Sequence, residues 1–171
     1  DPDAYRWIVR RYQDLFFDLG LRMSGNPADA EDLAQAALLR AYRSLASYDH
    51  ARSFRNWAYS VALNVIRNHL RHQRVIRLLS LDWASDELPS PETPPSGEAL
   101  LARIEAALPG LPLALREAFV LCHFHDKRGA ELAEALGISR TAANVRLFRA
   151  RRALAARLEL DSPRSEEDIT V

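Results

Sequence analysis

The segment at residues 129–152 constrains the fold of this chain more than any other part of the sequence. It predicts a short helix, a turn at Gly137-Ile138-Ser139 and a longer helix rich in arginine. Gly137 is expected to end the first helix, because glycine adopts the left-handed backbone conformation without steric cost. Ser139 is placed to accept a hydrogen bond from the free amides that begin the next helix. The segment is therefore predicted to form a helix-turn-helix.

The second helix of this motif has one apolar face and one cationic face. Its apolar residues recur at steps of four, three and four, which predicts a buried face: Ala143, Leu147, Ala150 and Leu154. Residues 138–158 contain six arginines and no acidic residue. Such a helix fits the major groove of DNA, where arginine reaches phosphates and base edges. The alternative is a solvated surface helix. It explains less well why arginines without any acidic residue follow directly after a tight turn.

Composition indicates a globular protein outside the membrane. The chain has 171 residues, of which 48% are hydrophobic and 27% are charged. No apolar run approaches the ~20 residues needed to cross a bilayer, so no membrane insertion is expected. A single cysteine, Cys122, excludes an internal disulfide and favours a reducing, cytoplasmic setting.

The formal net charge of zero is the sum of basic and acidic blocks. Residues 40–78 hold eight arginines and one acid, and residues 126–160 hold eight cations and four acids. Residues 80–107 reverse this balance, with six acids and one arginine. Two separate basic blocks indicate two contacts with nucleic acid.

Helical periodicity, without a strand pattern, predicts an all-α chain of two small domains joined by a flexible linker. Residues 1–78 are expected to form a three-helix bundle, with Trp57 in its core. Asn26 and Pro27 are expected to cap and begin the second helix, because a missing amide costs nothing at that position. The third helix is expected to begin after Ser53.

The rest of the chain divides into three parts. Residues 79–97 are acidic and rich in proline, which predicts a flexible linker. Residues 98–160 are predicted to form four helices, at about 98–108, 112–125, 129–136 and 140–159. Residues 161–171 are expected to be a disordered acidic tail.

Several segments together resemble the extracytoplasmic-function (group 4) sigma factors of the sigma-70 family. Residues 29–35, 39–45, 53–59 and 62–71 resemble the second conserved region of these proteins. Residues 108–121 and the helix-turn-helix resemble their fourth region. The resemblance spans about residues 5–158 in the family's order, and it implies a region 2 bundle at 1–78 and a region 4 domain at 98–160.

The resemblance implies a transcription initiation factor without catalytic activity or cofactor. Its expected partners are core RNA polymerase, bound through the clamp helices of the largest subunit and the flap, promoter DNA at the −10 and −35 elements, and an anti-sigma factor. The residues themselves show no nucleophile–base pair and no phosphate-binding glycine loop.

The family's roles carry over to three groups of residues. The expected polymerase-binding surface consists of Asp29, Glu31, Asp32, Gln35 and Arg40. The residues expected to read and melt the −10 element are Tyr48, Arg52, Asn64, Arg67, Asn68, Arg71 and Arg74. Those expected at the −35 element are Arg140, Thr141, Asn144, Arg146, Arg149 and Arg151.

Different chemistry is expected within these groups. Arg140, Thr141 and Asn144 are expected to contact base edges, and the other three arginines of that helix are expected to hold phosphates. Tyr48 either stacks on an unstacked base or packs on the bundle, and Asp29 also suits the helix dipole.

Two other functions and one metal site compete with this interpretation. A sigma-mimicking anti-anti-sigma regulator would not bind DNA, and the basic faces argue against it. A conventional repressor would need a ligand pocket and a dimer interface, which the sequence does not indicate. Cys122, His123 and His125 suggest a metal site, but no second Cys/His pair completes one, so no metal is expected.

Overall fold

The computed structural model describes residues 1–80 and 97–160, which are helical apart from short connections. The helices are α1 (Pro2–Ser24), α2 (Pro27–Ser44), α3 (Phe54–Ser80), α4 (Gly97–Ala107), α5 (Leu113–His123), α6 (Gly129–Leu136) and α7 (Arg140–Leu160). These two ranges contain no strand, which confirms the all-α prediction. Residues 81–96 of the predicted linker and the predicted tail at 161–171 lie outside the described residues.

Helices α1 to α3 form the amino-terminal bundle. The side chain of Asn26 accepts hydrogen bonds from the backbone amides of Ala28 and Asp29 at 2.9 and 3.4 Å, and Pro27 is the first helical residue. The predicted start of α2 is therefore present. Gly20 lets α1 approach α2 closely, because a Cβ there would lie 3.3 Å from the Cα of Ala30.

Apolar side chains from all three helices fill this bundle. The larger ones that are exposed by 2% or less are Ile8, Phe16, Leu19, Met23, Leu33, Tyr59, Leu63 and Ile66. Trp57 is half-buried and packs against this core from outside, whereas the sequence predicts it within the core. Burial of one such large side chain stabilises the fold by about 1.5–3 kcal/mol.

Helices α4 to α7 form the carboxy-terminal bundle, and their bounds agree with the four predicted helices to within a few residues. The core comes mainly from α5, α6 and α7: Ala118, Val120, Leu121, Leu132, Ala143, Ala150 and Leu154. None of the helices in the described ranges is both long and apolar enough to span a bilayer.

The two bundles pack against each other, and their buried apolar side chains belong to one continuous cluster. Asn56 donates from Nδ2 to Glu134 Oε2 at 2.6 Å, and the Ser60 hydroxyl donates to the Ala135 carbonyl at 3.0 Å. These bonds join α3 to α6. We call this packing the closed arrangement.

Arg116 joins α5 to the end of α1. This buried guanidinium donates to the backbone carbonyls of Met23, Pro109 and Leu111. Because carbonyls at the end of a helix lack partners within it, a cation there satisfies them. Burial lowers the pKa of Arg116 to about 10, so the group remains charged at neutral pH. The sequence pattern did not predict this contact.

Candidate nucleic-acid interface

The turn before α7 has both features that the sequence predicts. Gly137 has a φ of 69°, and the amide of Ile138 donates to the Ala133 carbonyl at 3.1 Å. The Ser139 hydroxyl accepts a hydrogen bond from the Ala142 amide at 3.2 Å. Together these bonds end α6 and begin α7, and so fix the direction in which α7 leaves the bundle.

Helix α7 buries its apolar face and presents its polar face to solvent. Ala143, Ala150 and Leu154 are buried and Leu147 is half-buried, as predicted. The predicted base-contacting and phosphate-contacting residues that are exposed are Arg140, Thr141, Asn144, Arg149 and Arg151. The first three lie within about one turn at the amino-terminal end of the helix, which is the end that enters the major groove in helix-turn-helix proteins.

The predicted −10 residues of α3 lie mostly on an exposed face, with one exception. Asn64, Asn68, Arg71 and Arg74 are exposed, whereas Arg67 is half-buried. Arg67 donates from Nε and Nη2 to the two carboxylate oxygens of Glu117 at 2.6 and 2.9 Å. The side chain of Glu117 is 2% exposed, so the closed arrangement buries one end of this ion pair.

A groove runs between α3 and the carboxy-terminal bundle, and it collects arginines from both. Arg67, Arg71 and Arg74 line it from α3, and Arg146 lines it from α7. Glu117 is the acid among its lining residues. Arg146 therefore lies beside the predicted −10 residues in the closed arrangement, apart from the exposed end of α7 that carries Arg140.

The loop at 48–53 is held by contacts within itself and with aromatic rings. The Tyr48 hydroxyl donates to the Arg52 carbonyl, and the amide of Ala51 donates to Asp49 Oδ1 at 2.9 Å. The Tyr48 ring packs on Phe54 and Trp57, with ring centroids 5.0 and 5.3 Å apart. Tyr48 therefore packs on the bundle and remains half-buried, and a role for it in base stacking stays a prediction. Arg52 is exposed.

The predicted polymerase-binding residues share the outer face of α2. Glu31, Asp32, Gln35 and Arg40 are exposed, together with Leu39, whose side chain is 40% exposed. Asp29 differs from them because it contacts α3: Gln73 donates to its Oδ2 at 3.1 Å, and His69 Nε2 lies 3.5 Å from Oδ1. Asp29 therefore also links α2 to α3.

The residues of the Cys122–His125 segment have separate environments. Cys122 is buried, while His123 stacks on Phe119 with ring centroids 4.4 Å apart. His125 packs on Tyr59 of α3, at 5.4 Å between centroids. Across residues 1–80 and 97–160, no group of three or more His, Cys, Asp and Glu side chains is arranged to hold a metal.

Both histidines have a lowered pKa. Burial, with Arg151 and Arg128 nearby, lowers the pKa of His123, whose Nε2 accepts a hydrogen bond from Arg151 at 3.2 Å. Burial between the bundles lowers the pKa of His125 to about 4, although Asp18 Oδ2 lies 3.3 Å from its Nε2 and opposes the shift. Both imidazoles are therefore neutral at neutral pH.

Sequence reasoning did not identify the residues that hold the bundles together. Glu117 follows Arg116 within a largely apolar segment, and a carboxylate buried in such a segment needs a cationic partner. That signal pointed to an ion pair without naming Arg67. The sequence also gives no role to Trp7, which is exposed on α1.

Comparison with known proteins identifies the family of this chain. The family model Sigma-70 region 2 matches residues 8–75, and Sigma-70, region 4 matches residues 101–154. The chain is 31% identical over 169 residues to the ECF RNA polymerase sigma factor SigW of Bacillus subtilis, which covers 92% of this chain and 90% of SigW. The chain belongs to the ECF sigma factors of the sigma-70 family.

Other ECF relatives show the same relationship. The chain is 32% identical over 151 residues to the ECF RNA polymerase sigma factor SigE of Mycolicibacterium smegmatis, which covers 86% of this chain but 58% of SigE. The structure of CnrH in complex with the cytosolic domain of CnrY has a TM-score of 0.67 and 28% identity, covering 95% of this chain and 92% of CnrH. ECF sigma factors are transcription initiation factors, and the two matched regions coincide with the two bundles.

Proposed function

We propose that this ECF sigma factor divides its work among three surfaces: the outer face of α2 binds core RNA polymerase, the loop at 48–53 and α3 open the −10 element, and α7 reads the −35 element. It supplies sequence recognition to polymerase and performs no catalysis of its own. Because it would act on polymerase at a promoter, its proposed site of action is the cytoplasm.

The exposed face of α7 carries this proposal. Arg140 and Asn144 project from the amino-terminal end of a helix whose opposite face is fixed in the core. Arginine pairs with guanine and asparagine with adenine through two hydrogen bonds each, so this pair can read sequence. Arg149 and Arg151 supply phosphate contacts, which add affinity that falls with salt.

A regulatory protein is the third proposed partner. The related CnrH is found with the cytosolic domain of CnrY bound. We infer that an anti-sigma protein binds this chain and keeps polymerase from it, which matches the family resemblance.

The first experiment is transcription with purified bacterial core polymerase and a promoter library. We expect discrete transcripts that require this protein. A sigma-mimicking regulator that binds no DNA would give none, and that result would refute the proposal.

The division of labour is tested with the double variant Arg140→Ala, Asn144→Ala. It should reduce −35-dependent initiation by about 100-fold, because each lost base pair contact costs about 1–3 kcal/mol. Binding to core polymerase should stay within about twofold, since these residues lie on another surface. Arg128→Ala removes an exposed arginine of the same bundle outside α7 and serves as the matched control. An equal loss of core binding in the double variant would contradict the assignment.

A further inference from the structure

Trp7 is exposed on a helix whose other large apolar side chains, apart from Tyr5, are buried or half-buried. Its side chain is 54% exposed, whereas Ile8 and Tyr12 on the same helix are 1% and 6% exposed. One edge of the ring packs on the core residue Tyr12, with centroids 6.0 Å apart, and the remainder of the side chain faces solvent. A single exposed ring is ordinary, but one that continues other rings into a contiguous patch is a candidate contact surface.

The ring of Trp7 continues the aromatic side chains of the loop at 48–53. Trp7 contacts Phe54 edge-on, with centroids 5.5 Å apart and planes at 71°. Phe54 contacts Tyr48 at 5.0 Å, and Tyr48 contacts His50 at 5.0 Å. Trp7, Phe54, Tyr48 and His50 therefore form a continuous row, which we call the aromatic row. The row runs from the loop at 48–53, which is proposed to receive an unstacked base, to helix α1.

Cations accompany the aromatic row. Arg52 is exposed at its loop end, and Arg11 is exposed one turn after Trp7 on α1. Arg55 is also exposed, but it lies beside Tyr12, Tyr59 and His125. Arg11 and Arg55 both lie close enough to Tyr12 to lower its pKa, against the larger opposing effect of burial. Acids are present as well: Asp49 lies 3.7 Å from Arg52, Asp3 lies 2.9 Å from Arg6, and Asp14 is exposed two turns after Trp7 on α1.

Aromatic rings beside cations are the usual surface for single-stranded nucleic acid. Bases stack on the rings while the cations follow the phosphates, and the loss of one stack costs about 1–3 kcal/mol. A protein partner would bury Trp7 equally well, but it would not need the row to begin at the base-receiving loop. The position of the row therefore favours the opened DNA strand.

We propose that Trp7 is a second base-stacking platform for the non-template strand, adjacent to the base received by the loop at 48–53. The inference rests on the proposed function, because that function supplies the opened strand. It adds a position of the promoter that the region 2 residues assigned above do not contact.

The test uses holoenzyme assembled from bacterial core polymerase and a promoter selected by the unaltered protein from a random library. Binding is measured on templates opened in advance by mismatches, with an abasic site placed at each non-template position in turn. Trp7→Ala should weaken binding to the intact strand by about tenfold, within the range for one lost stack. The abasic penalty at one position, next to the loop-held base, should disappear in this variant and persist elsewhere.

Three further variants make the result specific. Trp7→Phe keeps a ring and should retain most of the penalty, whereas Trp7→Leu keeps apolar bulk without a ring and should behave like Trp7→Ala. Tyr5→Ala is the matched control, because Tyr5 is 36% exposed on the same helix but contacts Tyr42 outside the aromatic row. It should change no abasic penalty.

The possible failures are distinguishable. If the unaltered holoenzyme binds no opened promoter, the proposed function itself is wrong. If it binds and Trp7→Ala weakens every template equally, or by less than about twofold, the stacking inference is overturned. A loss of core binding with unchanged DNA binding would instead assign Trp7 to a protein contact, which also overturns it.

Discussion

Arg67 shows how a single residue can belong to two surfaces. The proposed function assigns it to the −10 element, yet in the closed arrangement it forms a two-bond ion pair with the buried Glu117. A guanidinium binds carboxylate and phosphate in the same geometry, so Glu117 holds Arg67 as a DNA phosphate would. Contact with DNA therefore requires Arg67 to exchange one anion for another.

Removal of Arg67 should destabilise the free protein. Arg67→Ala leaves the Glu117 carboxylate buried without its partner, and we expect the free energy of unfolding to fall by about 3 kcal/mol. Urea denaturation measures this change. Arg71→Ala, an exposed arginine one turn further along α3, is the control and should change stability by less than about 0.5 kcal/mol. The double variant Arg67→Met, Glu117→Leu removes both charges and should be more stable than Arg67→Ala. If it were not, the unpaired buried carboxylate would not be the cause of the lost stability in Arg67→Ala.

His125 should make the closed arrangement sensitive to acid. Its pKa is about 4 in the folded protein and near 6.5 when the chain is unfolded. The unfolded chain therefore binds a proton first as the pH falls, and stability that is complete above pH 6.5 is lost progressively toward pH 4. Asp18, Arg22, Arg55, Lys127 and the Tyr59 ring all face this imidazole.

The measurement is the free energy of unfolding at two pH values. We expect it to be about 2 kcal/mol lower at about pH 5 than at about pH 7.5, and His125→Gln should remove most of that difference. His72→Gln, at an exposed position on α3, should leave the difference unchanged. A pH dependence that is the same in all three proteins would contradict the role of His125.

At the scale of the element, helix ends depend on residues with special backbone geometry. Gly25 ends α1 and Gly137 ends α6, with φ of 73° and 69°. Their surroundings differ: a Cβ at Gly25 would lie 2.7 Å from Cγ of Pro109 in the other bundle, whereas a Cβ at Gly137 would meet nothing within 4 Å. Gly25 is thus both a helix end and part of the closed arrangement.

This pair separates backbone strain from packing between the bundles. Gly137→Ala should cost about 1 kcal/mol, the penalty for a side chain in the left-handed region. Gly25→Ala should cost about 2–3 kcal/mol, because the Pro109 ring must also move. Denaturant titration of both variants tests the difference. Equal losses of unfolding free energy in the two variants would mean that the Pro109 ring moves aside at no energetic cost.

The sequence predicts the elements well because their signals are local. Asn26 with Pro27, Gly137 and Ser139 determine helix ends through bonds within a few residues, and the buried stripe of α7 follows from its period. The contacts of Arg116 with Met23 and of Asn56 with Glu134 join residues 93 and 78 positions apart. No periodic pattern encodes such pairs. The exposed polar face of α7 was therefore predictable from the sequence, whereas the ion pair of Arg67 with Glu117 was not.

For the whole molecule, the closed arrangement is too small for its proposed target. A chain of this length folded as one body has a radius of gyration of about 15 Å and is roughly 40 Å across. The −10 and −35 elements lie about 25 base pairs apart, which is about 85 Å at 3.4 Å per pair. The bundles must therefore separate before both elements are bound at once.

Weaker packing between the bundles should then favour polymerase. Asn56→Ala with Ser60→Ala removes bonds from α3 to α6, each worth about 1 kcal/mol net. The apparent affinity for core polymerase should rise by about tenfold as the open population grows. X-ray scattering of the free variant should show a larger radius of gyration. Gln13→Ala, on the exposed face of α1, should change neither quantity. Unchanged affinity in a visibly expanded variant would show that opening does not limit assembly.

The Glu117 carboxylate also has a consequence for how the protein behaves among the many random sites of a chromosome. If Arg67 contacts DNA as proposed, its ion pair with Glu117 keeps it from neutralising a phosphate and releasing counterions, so the unassembled protein should bind non-specific DNA more weakly. Glu117 thus competes with DNA phosphate for Arg67. We expect the ion pair to break only when the binding free energy from polymerase and promoter together exceeds the free energy of the ion pair. Fewer molecules are then sequestered on the genome before they find polymerase.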